Sequence, residues 1–420
     1  MTLRDFFFDT FQTLWSHKLR TAFTMFGIAW GIVSITLMVA AGEGLRQGQA
    51  KTAAAFGKDL MIIFAGRTSL QVGGTRAGRS LEWMDTDHQL VSDQSPDCKY
   101  VLPESGQSNT PVHSPYNNGL FLVVGSLPPF AEIRSIDVAE GRFYNQEDQN
   151  EHRRVAFIGS DVKKQLFGER QGIIGQTISV GDFPYTIIGI MKAKEQDSSY
   201  DGQDVTKIYL PVSTVQIDFP RKPPSKPHAI QRLLVTPRSV PQHEACKKEV
   251  RAALGKIYNF DPRDKEAASI WDTLEDAKAF AQMTEGMKYF LGAVGLTTLC
   301  IGGIGVMNVM LVAVRERTRE IGVRKAIGAT SRSILWQFFI ETLIMVFISG
   351  GIGMAFAYGI CALVNMLPMP DYFAGLIPTL STALLAVGLL GTVAVLAALY
   401  PARRAASIDP IEALRYEAGG

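Results

Sequence analysis

Four stretches of the chain carry apolar residues on every helical face, and the rest alternates on a shorter period. No charged residue lies between Thr21 and Gly42 or between Tyr289 and Val314, and further apolar stretches run through Ser333–Pro370 and Tyr372–Ala402. A helix rising ~1.5 Å per residue needs ~20 apolar residues to cross ~30 Å of hydrocarbon, and each stretch meets that length. The pattern predicts spans over residues 21–42, 289–314, 335–364 and 377–399, with Pro368, Pro370 and Pro378 turning the chain between the last two. A cleavable signal peptide would have an apolar core of ~7 to 15 residues close to the N-terminus, shorter and earlier than the first stretch.

Residues 43–288 read differently. Short apolar runs recur between polar turns at Leu60–Ala65, Gly119–Val124, Val155–Ile158, Tyr185–Ile190, Lys207–Leu210 and Arg232–Val235, which predicts an α+β domain inserted between spans one and two. Gly181-Asp182 between Gln176–Val180 and Phe183–Ile190 predicts a hairpin, because glycine supplies the positive φ of a type II′ turn. Val250, Leu254 and Ile257 have helical spacing after Pro241, and Arg221–Pro227 reads as a linker or exposed loop. Glu43–Phe56 and Ser269–Tyr289, the latter with Ile270, Leu274, Ala277, Ala281 and Met283, read as helical continuations of the first two spans, together a stalk. Residues 1–20, with Phe7, Phe11, Leu14, Trp15 and Lys18, predict an amphipathic helix on the inner leaflet.

Charge sets the orientation. Arg4, Lys18 and Arg20 precede span one; Arg315, Arg317, Arg319, Arg324, Lys325 and Arg332 lie between spans two and three; Arg403, Arg404 and Arg415 follow span four. The loop between spans three and four has no Lys or Arg. Positive flanks stay in the cytoplasm, so both termini are expected inside and residues 43–288 outside. The composition, 47% hydrophobic and 20% charged with a net charge of +2, excludes a disordered chain and offers nucleic acid no basic surface.

Catalytic chemistry has no motif to rest on. His243-Glu244 is not followed by the second histidine of a zinc protease, and neither Gly57-Lys58 nor Gly255-Lys256 continues into the Ser or Thr of a nucleotide loop. Among the four cysteines, Cys300 and Cys361 fall inside apolar stretches, while Cys98 and Cys246 can be bridged, a pairing the spacing leaves open. The acid inside a span, Glu341, is expected to pair with Arg332 or to cap packed helices rather than relay ions. Gly27 and Gly31 form a small-xxx-small pair suited to close helix packing, within the chain or across a dimer.

The loop between spans two and three, residues 315–334, reads Arg315-Glu316-Arg317-Thr318-Arg319-Glu320-Ile321-Gly322-Val323-Arg324-Lys325-Ala326-Ile327-Gly328-Ala329-Thr330. A basic loop that only fixes topology is the plain reading. The run nevertheless resembles, nearly position for position, the ERxxEIGxxKAxGA motif of the MacB/FtsX-type ABC transporter permeases. Leu19–Ile28 resembles that family's opening of span one, and Tyr400–Arg415 its closing motif. Gly141-Arg142-Phe143-Tyr144 resembles the start of a subdomain, about residues 141–211, ending near Tyr209-Leu210-Pro211.

The resemblance implies a bacterial inner-membrane protein that is itself no enzyme and binds no cofactor or metal. It implies that Glu316, Arg317, Glu320, Ile321, Gly322, Arg324, Lys325, Ala326, Ile327, Gly328 and Ala329 form a coupling helix that docks on an ABC ATPase, which holds the ATP and Mg. Charged residues would steer that docking, and Ile321 and Ile327 would fill a groove. One branch of the family fuses the ATPase to the N-terminus; this sequence starts close to the first span, so a separate ATPase subunit is expected. Two permease copies, identical or paired with a relative, would share two ATPases, with a periplasmic adaptor protein as a further partner. The implied function is export or extrusion of an amphiphilic or periplasmic substrate. The alternative is transmission of motion to an extracytoplasmic partner such as a cell-wall hydrolase.

Overall fold

The computed structural model describes residues 18–415 apart from 58, 195, 197–199 and 371. Residues 1–17 of the expected amphipathic helix and residues 416–420 of the tail lie outside the described residues. In chain order the first elements are α1 (Lys18–Phe56), β1 (Met61–Ala65), α2 (Asp87–Asp93), β2 (Cys98–His113), β3 (Asn118–Ser126), α3 (Phe130–Ile133) and β4 (Val138–Gly141). There follow α4 (Gln146–Asn150), β5 (Val155–Ile158), α5 (Ser160–Phe167), β6 (Thr177–Val180), β7 (Phe183–Met191), β8 (Lys207–Pro211), α6 (Val212–Asp218) and β9 (Arg232–Pro237). The chain continues with α7 (His243–Tyr258), β10 (Ala268–Asp272), α8 (Thr273–Glu316), α9 (Thr318–Ala326), α10 (Ser331–Val364), α11 (Leu380–Ala406) and α12 (Pro410–Arg415). Contacts divide these elements into a helical unit, residues 1–48 with 281–420, and an α+β unit, residues 49–280. The helices α1 and α8 contribute to both without a break.

The helices α1, α8, α10 and α11 are each long and apolar enough to cross a membrane. Lipid tails are as apolar as leucine, so helices gain by close contact rather than by burying oil, and small residues set where they touch. A Cβ added at Gly27 would lie 3.4 Å from the Gly302 Cα, and one added at Gly31 would lie 3.1 Å from the Leu299 Cα. Gly27 and Gly31 are thus used inside the chain, between α1 and α8. Ile28, Ile32, Leu299, Phe338, Val346 and Leu390 close the core of this unit. Phe26 and Trp30, stacked with ring centroids 5.9 Å apart, face outward. The segment joining α10 to α11 folds back on α1: Ala374 N–H donates to the Gly44 carbonyl at 3.0 Å and Ile377 N–H to the Ala40 carbonyl at 3.1 Å.

The α+β unit is built on a 10-stranded sheet ordered β10-β1-β9-β2-β3-β8-β5-β7-β4, with β6 pairing β2 and β7. All six predicted apolar runs are strands, and the Gly181-Asp182 hairpin forms with Val180 opposite Phe183 and Gly181 at φ 59°. The longest strand has no counterpart among them. β2 holds Pro103, Gly106 and Pro111 amid Ser, Asn and Gln, a composition that reads as turns, yet it runs 16 residues. It pairs with β9 through Cys98–Glu104 and with β3 through Ser105–His113, joining both halves of the sheet. The subdomain expected over about 141–211 therefore shares its strands with β2 and β3, which lie outside those bounds. Ile270, read as part of a stalk helix, lies instead on β10, which pairs with β1 from Ala268 to Asp272; the helix begins at Thr273. There the Thr273 Oγ1 accepts from Leu60 N–H at 3.0 Å and donates to the Leu60 carbonyl at 2.9 Å.

Several charged side chains of this unit are buried in contact with one another. Asp204 meets Arg134 at 2.7 Å, Lys207 at 3.1 Å and Lys194 at 3.1 Å. Burial alone would raise its carboxyl pKa, but the three cations outweigh burial and hold it below the ordinary carboxylate range. Glu104 on β2 meets Arg232 on β9 at 3.0 Å. On the opposite side of β9, α7 packs on the sheet, and Cys246 of α7 is bonded to Cys98 at the start of β2, closing the pairing the sequence left open.

The bridge links positions 148 residues apart, so its loss frees a long loop in the unfolded chain. The variant Cys98→Ala with Cys246→Ala is expected to lose about 2–4 kcal/mol, read as a lower melting temperature of the α+β unit in the full-length protein. Unchanged melting in that variant, compared with and without reductant, would contradict the loop-closure account.

Candidate functional site

The second and third apolar helices are joined by a short helix rather than by a loose loop. Helix α8 ends at Glu316, α9 follows from Thr318, and residues 327–330 lead into α10. The end of α9 is set by backbone geometry. Gly328 has φ +104°, its N–H donates to the Lys325 carbonyl at 3.1 Å, and the Ala329 N–H donates to the Arg324 carbonyl at 3.0 Å. This pair of bonds is a Schellman end, which satisfies carbonyls that α9 leaves open and calls for glycine at the left-handed position. Thr330 then caps α10, its Oγ1 accepting from Ser333 N–H at 3.2 Å.

The predicted site residues divide between three environments. Arg317, directly before α9, reaches Glu341 on α10 at 3.6 Å, so Arg317 rather than Arg332 faces the carboxylate inside the third apolar helix. Six basic residues in one loop gave no means of choosing between them; helix phase does. Arg324 joins Glu320 at 2.5 Å and donates to Gln337 Oε1 on α10 at 3.0 Å. Lys325 Nζ donates to the carbonyls of Ala406 at 2.7 Å and Ile408 at 2.8 Å, at the end of α11. A Cβ at Gly322 would lie 2.5 Å from the Ala413 Cβ, so α12 rests directly on the α9 backbone.

The third environment is solvent. Ile327 is 82% exposed and Val323 45% exposed, with Glu316, Ala326 and Gly328 also exposed and Ala329 half-buried. Ile321 is different: at 2% exposure it packs into the core of the helical unit. The role expected of Ile321, filling a partner's groove, is therefore corrected. Its position four residues after Arg317 turns it toward the bundle, and Val323 takes the outward apolar place beside Ile327. The alternation of charged and apolar positions revealed a helix with an apolar side but not which apolar residues faced in. The contact with α12 also lay beyond sequence reading, because the Gly322 and Ala413 motifs are far apart in the chain.

The α+β unit holds one other grouping of interest. Among the described residues, His243, Glu244 and Asp272 place one ligand atom each within 4.8 Å of one another. The Asp272 Oδ1 is already committed, accepting from Leu274 and Glu275 N–H, both at 3.1 Å, at the start of α8. Its Oδ2 meets His243 Nε2 at 2.8 Å and accepts from Lys247 Nζ at 2.9 Å. Burial works to raise the Asp272 pKa, but the His243 and Lys247 hydrogen bonds outweigh it and hold the carboxyl below its usual range. An ammonium on the shared oxygen and a helix cap on the other make this a structural junction, not a metal centre.

Comparison with known proteins bears on the whole chain. Residues 21–253 match the family described as MacB-like periplasmic core domain, and residues 292–410 match FtsX-like permease C-terminal. The pyoverdine export ATP-binding/permease protein PvdT of Pseudomonas putida is 30% identical over 407 residues, 97% of this chain and 59% of its own length. The macrolide export ATP-binding/permease protein MacB of Shewanella oneidensis is 32% identical over 407 residues, 96% of this chain and 59% of its own length. The chain thus spans about three-fifths of the length of these relatives. The crystal structure of the periplasmic region of MacB from Actinobacillus actinomycetemcomitans aligns with 55% of this chain and 96% of its own, at 17% identity and a TM-score of 0.43.

The Schellman end makes a local prediction. Gly328→Val is expected to cost about 1–2 kcal/mol, because a β-branched residue is strained in a left-handed conformation. Nothing lies within 4 Å of a Cβ at that position, so backbone strain and not a clash is the cause. Gly328→Asn should therefore recover most of the loss in thermal melts of the detergent-solubilised protein, and equal losses for both variants would contradict the backbone explanation.

Proposed function

The chain belongs to the MacB/FtsX-type family of ABC transporter permeases, and on that premise we propose that it couples ATP hydrolysis by a separate ABC ATPase subunit to motion of its α+β unit. The substrate class we propose is an amphiphilic or periplasmic compound destined for export. Two relatives named for pyoverdine and macrolide export support the direction of movement. ATP and Mg would be held by the ATPase, and this permease would act without a cofactor of its own.

One observation carries the reading: α9 is braced on three sides and presents Val323 and Ile327 outward. An exposed apolar pair flanked by Glu320 and Arg324 suits docking into a groove, where the apolar residues supply affinity and the charges set orientation. A second permease copy completes the proposed machine, and the outward Phe26 and Trp30 offer it a face on the first span. A periplasmic adaptor protein is the remaining proposed partner. We place both termini in the cytoplasm and the α+β unit outside. The basic residues flanking α9 and α11 support this, as does the disulfide, since such bonds persist in oxidising compartments.

Docking is tested by pulling down the ATPase with Val323→Asp and Ile327→Asp combined. Yield should fall at least tenfold, about 1.4 kcal/mol or more, as two groove contacts are lost. Ile321→Val, altering the buried position, should leave yield unchanged. Normal yield with the double variant would remove α9 as the ATPase contact.

Orientation is tested with Lys226→Cys, an exposed position in the Pro-rich loop, in a protein with Cys300 and Cys361 replaced by Ala. An impermeant thiol reagent is expected to label it from outside intact cells. Labelling only after the inner membrane is opened would reverse the topology.

A further inference from the structure

We propose that α9 drives the fourth span as well as the second and third, and that Lys325 and Gly322 are the positioning residues of this linkage. The drive rests on the reading of α9 as the ATPase contact; the linkage rests on geometry. Chain continuity ties α9 to α8 on one side and, through residues 327–330, to α10 on the other. The fourth apolar helix, α11, has no such connection. It reaches α9 through two contacts of different kinds.

Lys325 Nζ donates to the Ala406 carbonyl, the last of α11, at 2.7 Å, and to the Ile408 carbonyl at 2.8 Å. A helix leaves its final carbonyls without intrahelical partners and carries partial negative charge there, which an ammonium satisfies. A lysine stem alone is flexible and would transmit tension but little compression. Gly322, three residues earlier on α9, supplies the rigid part. A Cβ at Gly322 would meet the Ala413 Cβ at 2.5 Å, and Ala413 is 1% exposed, so α12 bears on the α9 backbone itself. Asp409 links the two pieces, its carboxylate accepting from Ile411 N–H at 2.7 Å and its carbonyl accepting from Ala413 N–H at 3.0 Å. Displacing α9 must then carry the end of α11 with it or break two charge-assisted hydrogen bonds.

The test is amide hydrogen exchange on the full-length protein in lipid nanodiscs, alone and with its ATPase. Lys325→Met keeps the stem and removes the donors; exchange across residues 407–413 should rise about tenfold, and Lys325→Arg should recover most of the protection. Gly322→Ala should raise exchange in the same segment, and adding Ala413→Gly should restore it, an outcome that general destabilisation of α9 would not produce. With the ATPase bound and nucleotide trapped by vanadate, wild-type exchange should change at residues 323–327 and 407–413 together. In Lys325→Met it should change at 323–327 alone, with ATPase binding retained. Unchanged exchange at 407–413 in Lys325→Met without the ATPase, or failure of the Gly322→Ala/Ala413→Gly pair to restore protection, overturns the linkage. A nucleotide response at 407–413 that survives in Lys325→Met overturns the drive. Absence of any wild-type response at 323–327 overturns the ATPase reading and the drive with it, while the ATPase-free exchange still reports on the linkage.

Discussion

A single carboxylate, Asp272, closes β10 and opens α8: its Oδ1 accepts the first free N–H groups of the helix, and its Oδ2 takes His243 and Lys247 from α7. Helix α8 is 44 residues long, and this carboxylate caps its first turn. Opposite Asp272 in the ladder stands Met61 of β1, the strand that follows α1, and Thr273 is bonded to Leu60 beside it. The two long helices thus enter the α+β unit on neighbouring, hydrogen-bonded strands. Beyond the β1–β10 ladder the disulfide and the Asp204 cluster add cross-links within the same α+β unit.

In the helical unit the same requirement is met without water. Apolar helices in lipid have little to gain from burying leucine, and contact depends on how closely backbones approach. Gly27 against Gly302 and Gly31 against Leu299 set the register of α1 on α8, and a Cβ at Gly303 would run into Val393 of α11 at 2.5 Å. Small residues here act as positional markers: a shift of α1 by one turn would bring Phe23 or Ile35 into one of these two slots. The polar exceptions, Arg317 with Glu341 and Lys325 with the end of α11, lie at the margin of this packing, where α9 joins the bundle.

Much of this was legible in the order of residues. The four apolar stretches, the inserted domain, its apolar strands and the Gly181 hairpin follow from periodicity, turn chemistry and length, because each is decided by neighbours in sequence; the loop at residues 315–334 stood out through its resemblance to a family motif. What escaped was decided by distant partners. β2 is absent from the predicted apolar runs, since Pro103, Gly106 and Pro111 interrupt it, yet β9 and β3 pair with its two halves. Ile270 satisfies a helical spacing and belongs to a strand because β1 offers it a ladder. Within the site, the outward set was mistaken at Ile321, since a nine-residue helix with several apolar positions does not reveal which one the bundle claims.

That correction changes how the site works. Burying an isoleucine side chain is worth roughly 1.5–3 kcal/mol, and Ile321 places that on the inner side of α9. Val323 and, just past the helix end, Ile327 present the larger apolar side chains outward beside the exposed Ala326, flanked by a partly exposed Glu320–Arg324 pair whose own contribution is about 0–1 kcal/mol. The inner side of α9 is thus held by Ile321, Lys325, Gly322 and Arg317 together. On the proposed reading, force applied at Val323 and Ile327 would reach the spans through these inner contacts.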